Sequence, residues 1–251
     1  MSPSFALILA LATLAPGPNG FAARLRFWDT HGQPIAVVAY RVMTPGITEP
    51  VRLTITQWDS TSRQRADSAW TQAPEPAMST PPSVAGVVVF PRLPALVWWR
   101  LSATRGNGDS IAALERHDDS PLAVGNIAMS DLALGTERNS VTWRHDGIAT
   151  AITLSDTIGV RDTLHVTYQV NSVSTRARVR TTLTFTNITD PKHGEVALQA
   201  SFDGPLASGV NDFDREIDLS HLRQGRYRLE LQAGDLDGGG VSVRAIQFYL
   251  R

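Results

Sequence analysis

Near its C-terminal end the chain carries Leu222, Gly225 and Tyr227 in the spacing L-x-x-G-x-Y, followed by Arg228-Leu229-Glu230-Leu231. A chain that crosses from one antiparallel sheet to another must bury a polar bend. A tyrosine solves that problem when its ring joins the core and its hydroxyl bonds upstream backbone. The spacing therefore predicts a sandwich corner, with Leu222, Gly225 and Tyr227 as its structural residues. It constrains architecture and carries no chemistry.

The surrounding pattern agrees. From 162 to 170, Leu164, Val166, Tyr168 and Val170 alternate with Thr163, His165, Thr167 and Gln169, which describes a strand with one apolar and one wet face. The same period runs through Ala177, Val179, Leu183 and Phe185, then Val196, Leu198, Ala200 and Phe202, then Tyr227, Leu229, Leu231 and Ala233. Turn clusters separate these runs, at 187–194, at Asp203-Gly204-Pro205 and at 235–240. In the last run Val241 and Val243 share one parity and Phe248 and Leu250 the other, which predicts a β-bulge between Arg244 and Gln247. The first half yields strands at 23–28, 35–42, 51–58, 84–90, 98–104 and 110–116, while the Ser-, Thr-, Ala- and Pro-rich stretch 59–82 reads as a long mobile loop. No helical periodicity interrupts either half. The expected fold is all-β, with two antiparallel sandwiches in tandem.

A weak internal echo supports the tandem. Leu93, Trp99, Arg100, Leu101, Ala103 and Gly106 align with Leu222, Tyr227, Arg228, Leu229, Leu231 and Gly234 once one residue is added to the first turn. The matches fall on core-facing positions, and a boundary near 120–127 follows, giving an N-terminal sandwich over 23–122 and a C-terminal one over 127–251. With 251 residues, each half is long enough to bury its own core.

Composition narrows the partners. The apolar fraction is 42%, the charged fraction 19% and the formal net charge -1, so bulk charge offers nothing to steer a nucleic acid or an anionic membrane. Lys192 is the only lysine, a bias that base composition explains more simply than any guanidinium-specific role. Without cysteine there is no disulfide, thiolate nucleophile or lipoprotein anchor. Phe5 to Ala15 is an apolar run too short to span a bilayer, followed by Pro16-Gly17-Pro18-Asn19-Gly20, so residues 1–22 read as a signal peptide and the chain as exported, to the periplasm or outside the cell. No cation precedes Arg24, and the competing reading is a buried N-terminal strand.

The L-x-x-G-x-Y corner resembles fibronectin type III and related immunoglobulin-like domains. Over roughly 127–251, the run Met129-Ser130-Asp131-Leu132-Ala133-Leu134-Gly135, then Trp143, then the stretch from Asp218 to Leu229, is similar to the β-sandwich region of secreted bacterial GWxTD-domain-family proteins. No G-W-x-T-D segment occurs in this chain. The resemblance implies a sandwich fold and an exported setting, and it implies no activity.

Chemistry-bearing residues are scattered. His117-Asp118-Asp119 and His145-Asp146 could pair an imidazole with an orienting carboxylate, but no serine elbow or H-E-x-x-H accompanies them. Asp235 and Asp237 before a glycine run, and Asn211, Asp212 and Asp214, have the composition of a calcium loop without its full spacing, and read as turns. The arginines at 176, 178 and 180 face one side of a strand, as charges protecting a sheet edge would. No catalytic, metal or cofactor residue is assigned. Adjacent Trp98 and Trp99 must point to opposite faces, and Trp28, Trp58 and Trp70 fall near strand ends or in the expected loop, so Trp28, Trp58, Trp70 and Trp98 are the candidate ligand contacts. The expected function is non-catalytic, a protein-interaction or structural module, with carbohydrate binding through surface tryptophans as the alternative.

Overall fold

The computed structural model describes residues 14–17, 20–59, 61, 63–75, 82–91, 96–117, 127–137, 140–145, 147–173, 177–190, 192–237 and 240–251. The first half contributes β1 (Leu14–Gly17), β2 (Gly20–Trp28), β3 (Pro34–Met43), β4 (Val51–Asp59), β5 (Gln64–Gln72), β6 (Ser83–Pro91), β7 (Leu96–Thr104) and β8 (Ser110–His117). These pair in the orders β1-β2-β3-β6 and β5-β4-β7-β8. Between the two sheets, Val38, Tyr40 and Val42 meet Leu53, Ile55, Trp99 and Leu101 in one core.

The second half contributes β9 (Ile127–Met129), β10 (Ala133–Gly135), β11 (Ser140–His145), β12 (Ile148–Thr153), β13 (Thr157–Ile158), β14 (Thr163–Ser172), β15 (Arg178–Asn187), β16 (Glu195–Pro205), β17 (Gly209–Asp218), β18 (Gly225–Asp235) and β19 (Val241–Leu250). One sheet runs β10-β14-β17, with β9 also on β14; the other runs β13-β19-β18-β15-β16. Leu164, Val166 and Tyr168 face Leu183, Phe185, Tyr227 and Leu229 across the core. The fold is all-β, two sandwiches in tandem, and the same pairing order occurs twice: β2-β3-β6 over β5-β4-β7-β8, and β10-β14-β17 over β16-β15-β18-β19. Trp99 on β7 and Tyr227 on β18 hold equivalent inward positions, as the sequence echo aligns them. Leu93, the echo's first residue, and residues 118–126 around the expected boundary lie outside the described residues.

The corner is formed as its motif requires. Tyr227 is buried and its hydroxyl donates to the Arg223 carbonyl at 2.8 Å, while Leu222 packs against the core. Gly225 is needed for space: a Cβ there would collide with the Thr189 hydroxyl, which accepts a hydrogen bond from the Arg226 amide at 2.9 Å.

The parity conflict in the last strand is resolved without a bulge. β18 and β19 pair in unbroken register from Gly225↔Leu250 to Gly234↔Val241, leaving Val241 on the solvent face and turning Ser242 and Arg244 inward. Buried Arg244 is tolerated because it donates to the carbonyls of Met129 at 2.6 Å and Val243 at 2.8 Å and lies 3.7 Å from Asp131. Burial lowers its pKa from the ordinary guanidinium value, and Asp131 opposes that shift.

Other expectations are corrected. Within 59–82, β5 forms a strand paired to β4. Its sequence is polar on both faces, with Trp70 the only large apolar residue, so no alternation marks it. β15, with its arginines, lies between β16 and β18, and is no edge: Arg180 and Asp203 form a bidentate pair instead. Arg176 lies outside the described residues. Asn211, Asp212 and Asp214 belong to strand β17, where Asn211 fastens the preceding turn through the amide and carbonyl of Ala207. Leu14–Gly17 pairs with β2, and Ala22 of β2 is fully buried in the core.

The two sandwiches share a third core. Strand β3 is buried on both faces: Val38 and Tyr40 point into the first sandwich, while Ile35, Val37 and Ala39, with Leu25 and Phe27 of β2, meet Val141, Trp143, Ile152 and Leu154. The β11–β12 hairpin supplies most of the second half's share, its Trp143 edge-on to Phe27 at 5.1 Å. Beside this apolar seam lies a polar one. β1 pairs β2 only as far as Ala23, and Asp131 and Gln169 take over the exposed edge beyond. Asp131 accepts from the Arg26 amide, Nε and Nη2 at 2.8, 2.8 and 2.6 Å and returns its own amide to the Arg26 carbonyl. Gln169 does the same for Trp28, through 2.7 and 3.1 Å bonds. Side chains thus imitate a neighbouring strand, and the buried backbone groups of β2 are satisfied. An interface that joins an apolar core to a hydrogen-bonded buried seam couples the halves, where a small polar contact would let them swing.

Candidate binding surfaces

The four candidate tryptophans have different fates. Trp28 is buried at the seam against Ala128 and Val210. Trp70 is half-buried and turned inward, its Nε1 donating to the Tyr40 hydroxyl at 3.1 Å, and that hydroxyl donates on to Gln72 at 2.8 Å. Burial raises the Tyr40 pKa, partly offset by the Trp70 bond. Neither indole projects from an open sheet face: Trp70 is turned inward, and Trp28 meets solvent only where it lines the cleft between the halves.

Trp58 and Trp98 are brought together. They are register partners on β4 and β7, on the solvent face of the sheet β5-β4-β7-β8, and their rings stack at 3.7 Å with an interplanar angle of 4°. Parity fixes this placement: Gln57 and Trp99 take the inward positions, so their neighbours must face out. β4 shifts register against both neighbours beside Trp58, so a bulge aims its ring. Asp59 then turns the chain, accepting from the Thr61 amide and hydroxyl and the Arg63 amide. On the same face, Arg52 and Arg100 are exposed and Thr54 and Ser102 half-exposed. The other sheet of this sandwich has its outer face covered by β11 and β12, whereas the residues of this face from Arg52 to Trp58 and from Trp98 to Thr104 remain exposed or half-exposed.

A second concavity lies where the halves meet. Trp28 and Asp29 at the end of β2, Ile35 of β3, Val89, Phe90 and Pro91 of β6, and Trp143, Arg144 and His145 of β11 line a cleft of about 390 Å³. It exists because two facing rows run out together. Ala85 and Val87 on β6 pack in the shared core, but Val89, next in the row, is 43% exposed. Opposite, Val141 and Trp143 are buried and His145 emerges, stacked on Trp143 at 3.9 Å. Trp28 and His145 are candidates singly in the sequence, but nothing local joins them, because the cleft's residues come from four strands.

The other chemistry-bearing residues are not gathered. The His117 and Asp146 side chains lie outside what is described. His165 meets Asp214 at 3.2 Å and His193 meets Asp190 at 3.0 Å, on separate surfaces. Asp235 accepts from the Asp237 amide at 2.9 Å and Asp237 pairs with Arg178, which are the contacts of a hairpin turn. Among the described residues no group of three His, Cys, Asp or Glu side chains could hold a metal ion.

No family model and no curated protein matches the chain. Solved structures similar to it include a β-glucuronidase of Bacteroides uniformis, at 13% identity and TM-score 0.36 over 85% of this chain and 26% of that one. A calcium-binding mutant of Bacteroides uniformis β-glucuronidase 2 matches at 13% identity and TM-score 0.33, over 92% and 28%. The chain spans about a quarter of the length of these structures, covering 26% to 28% of them. At such scores the likeness bears on neither site nor activity.

Proposed function

We propose that the chain is a non-catalytic, exported binding module that holds a protein partner on the outer face of the sheet β5-β4-β7-β8, centred on Trp58 and Trp98. The observation that carries this reading is the stacked indole pair on a sheet face whose residues from Arg52 to Trp58 and from Trp98 to Thr104 remain exposed or half-exposed. Tryptophan beside arginine is the composition of interface hot spots, and Arg100, two residues from Trp98 on β7, lies next to this pair on the same face. The twice-repeated strand order is compatible with a fibronectin type III-like or immunoglobulin-like sandwich, a scaffold commonly used for recognition, and this supports the reading. The docked seam supports the reading further, because a rigid scaffold loses little entropy on binding.

Carbohydrate binding is the second reading, favoured by the same two indoles. Their mutual stacking counts against it, since each ring has one face turned to the other and is left with half its stacking surface. The test compares the protein with a Trp58→Ala/Trp98→Ala variant in partner capture and on a glycan array. A protein ligand whose affinity drops at least ~30-fold in the variant, an anchor's usual ~2 kcal/mol, supports the proposal. Saturable glycan binding lost in the variant replaces it with the second reading.

A further inference from the structure

We infer that the cleft between the sandwiches is a small-molecule site for an aromatic carboxylate. Its volume of about 390 Å³ lies at the small end of ligand clefts, with room for one ring and a short substituent and none for an oligomer. Its position at a domain junction is where such sites concentrate. Most of its lining is apolar: Trp28, Phe90 and Trp143 are aromatic, and Ile35, Val89 and Pro91 aliphatic. A sugar would need a ring of donors and acceptors that these walls do not carry, whereas a flat apolar body matches them.

The charges select the substituent. Asp29 is one of the lining residues; its Oδ1 accepts from the His31 amide at 2.9 Å and the Gln33 amide at 2.7 Å, which fixes its negative charge in the 29–33 turn at one end of the cleft. Arg144 is solvent-exposed and lines the cleft beside His145, whose imidazole lies on the Trp143 ring. A guanidinium beside apolar walls favours a planar monoanion, which it can take through two parallel hydrogen bonds. Val89 is exposed at 43% beside the buried aromatics Trp28, Phe90 and Trp143, and a ligand ring lying there would cover it. This site is independent of the Trp58–Trp98 face, so either can fail alone.

The experiment titrates the full chain with phenylacetate and with its neutral isostere phenylacetamide, read by calorimetry and ligand-observed NMR. Two variants accompany it: Arg144→Gln, which removes an exposed charge, and Val89→Trp, which fills the cleft from an exposed position. The expected result is saturable binding of phenylacetate at or below about 1 mM, at least tenfold weaker for phenylacetamide and for Arg144→Gln, and lost in Val89→Trp with the melting temperature unchanged. Absence of saturable binding, equal affinity for the amide, or binding that survives Val89→Trp overturns the assignment. Should Val89→Trp lower the melting temperature, the uncharged filler Val89→Tyr at the same position gives the same readout by the same criteria.

Discussion

Replacing Asp131 with asparagine tests the seam where it is most exposed to failure. The carboxylate accepts three hydrogen bonds from Arg26, all between 2.6 and 2.8 Å, and both side chains are nearly fully buried at 6% and 5% exposure. Arg244 stands 3.7 Å away on the same oxygen that Arg26 Nη2 uses. Asparagine fills the same space but has one acceptor oxygen, so its NH2 must oppose a guanidinium donor, and two buried cations lose their counter-charge. Breaking a buried pair in this way costs about 3–5 kcal/mol, a large part of the 5–15 kcal/mol that holds a typical domain together. In urea unfolding followed by tryptophan fluorescence, Asp131→Asn should lose that amount. Its transition should also split, because the N-terminal sandwich holds Trp58, Trp70, Trp98 and Trp99 and the seam holds Trp143. The combined change Arg26→Met, Asp131→Leu and Arg244→Met should recover part of the loss, since burial without charge avoids desolvation but leaves the Arg26 amide and the Met129 carbonyl unpaired. A loss below about 1 kcal/mol for Asp131→Asn, with a single transition, would refute the claim that this cluster locks the halves.

Three further outcomes follow. Tyr227→Phe leaves the Arg223 carbonyl without its 2.8 Å donor inside the corner, and a stability loss of about 1–2 kcal/mol is expected by chemical denaturation; an unchanged curve would mean the bond contributes nothing. Gly225→Ala should cost about 1–3 kcal/mol through the Thr189 collision, and Thr189→Ala in the same chain should recover part of it. Asp203, held below the usual carboxylate range chiefly by the Arg180 hydrogen bond, and Asp190 and Asp218, lowered chiefly by the Lys192 and Ser220 amides, bind fewer protons folded than unfolded. Their contribution is present above the unfolded carboxylate value near pH 4 and is lost as pH falls through the folded values, so Asp203→Asn should lower the melting temperature slightly at neutral pH, leave it unchanged at the most acid pH, and so flatten the acid limb of the melting curve.

How much of this was legible depended on whether a residue's role was local. Trp99, Tyr227 and the apolar rows of β4, β14 and β18 obey period two, because each strand has one face in a core, and that face reads directly. β5 did not, because an edge strand with polar residues on both faces needs no alternation, and its one marker, Trp70, stood in a Ser- and Ala-rich stretch. β19 misled for a different reason. The parity of Val241 and Val243 was real, but burial was decided by Arg244 reaching the Met129 carbonyl from 115 residues away, a contact no local window contains. Trp58 and Trp98 could be named as candidates from the sequence, yet their stacking depends on the β4–β7 register. Trp28 and His145 of the cleft could be named singly, but their meeting with Val89 could not, since the cleft arises where two strands from different sandwiches end together.

The functional claim is tested most directly by measuring partner capture with the intact protein and the Trp58→Ala/Trp98→Ala variant side by side, after confirming that both melt alike. The proposal predicts a discrete protein ligand retained by the first and lost by the second, with the glycan array blank for both. Equal retention by the two proteins, or a saturable glycan signal that the variant loses, would contradict it.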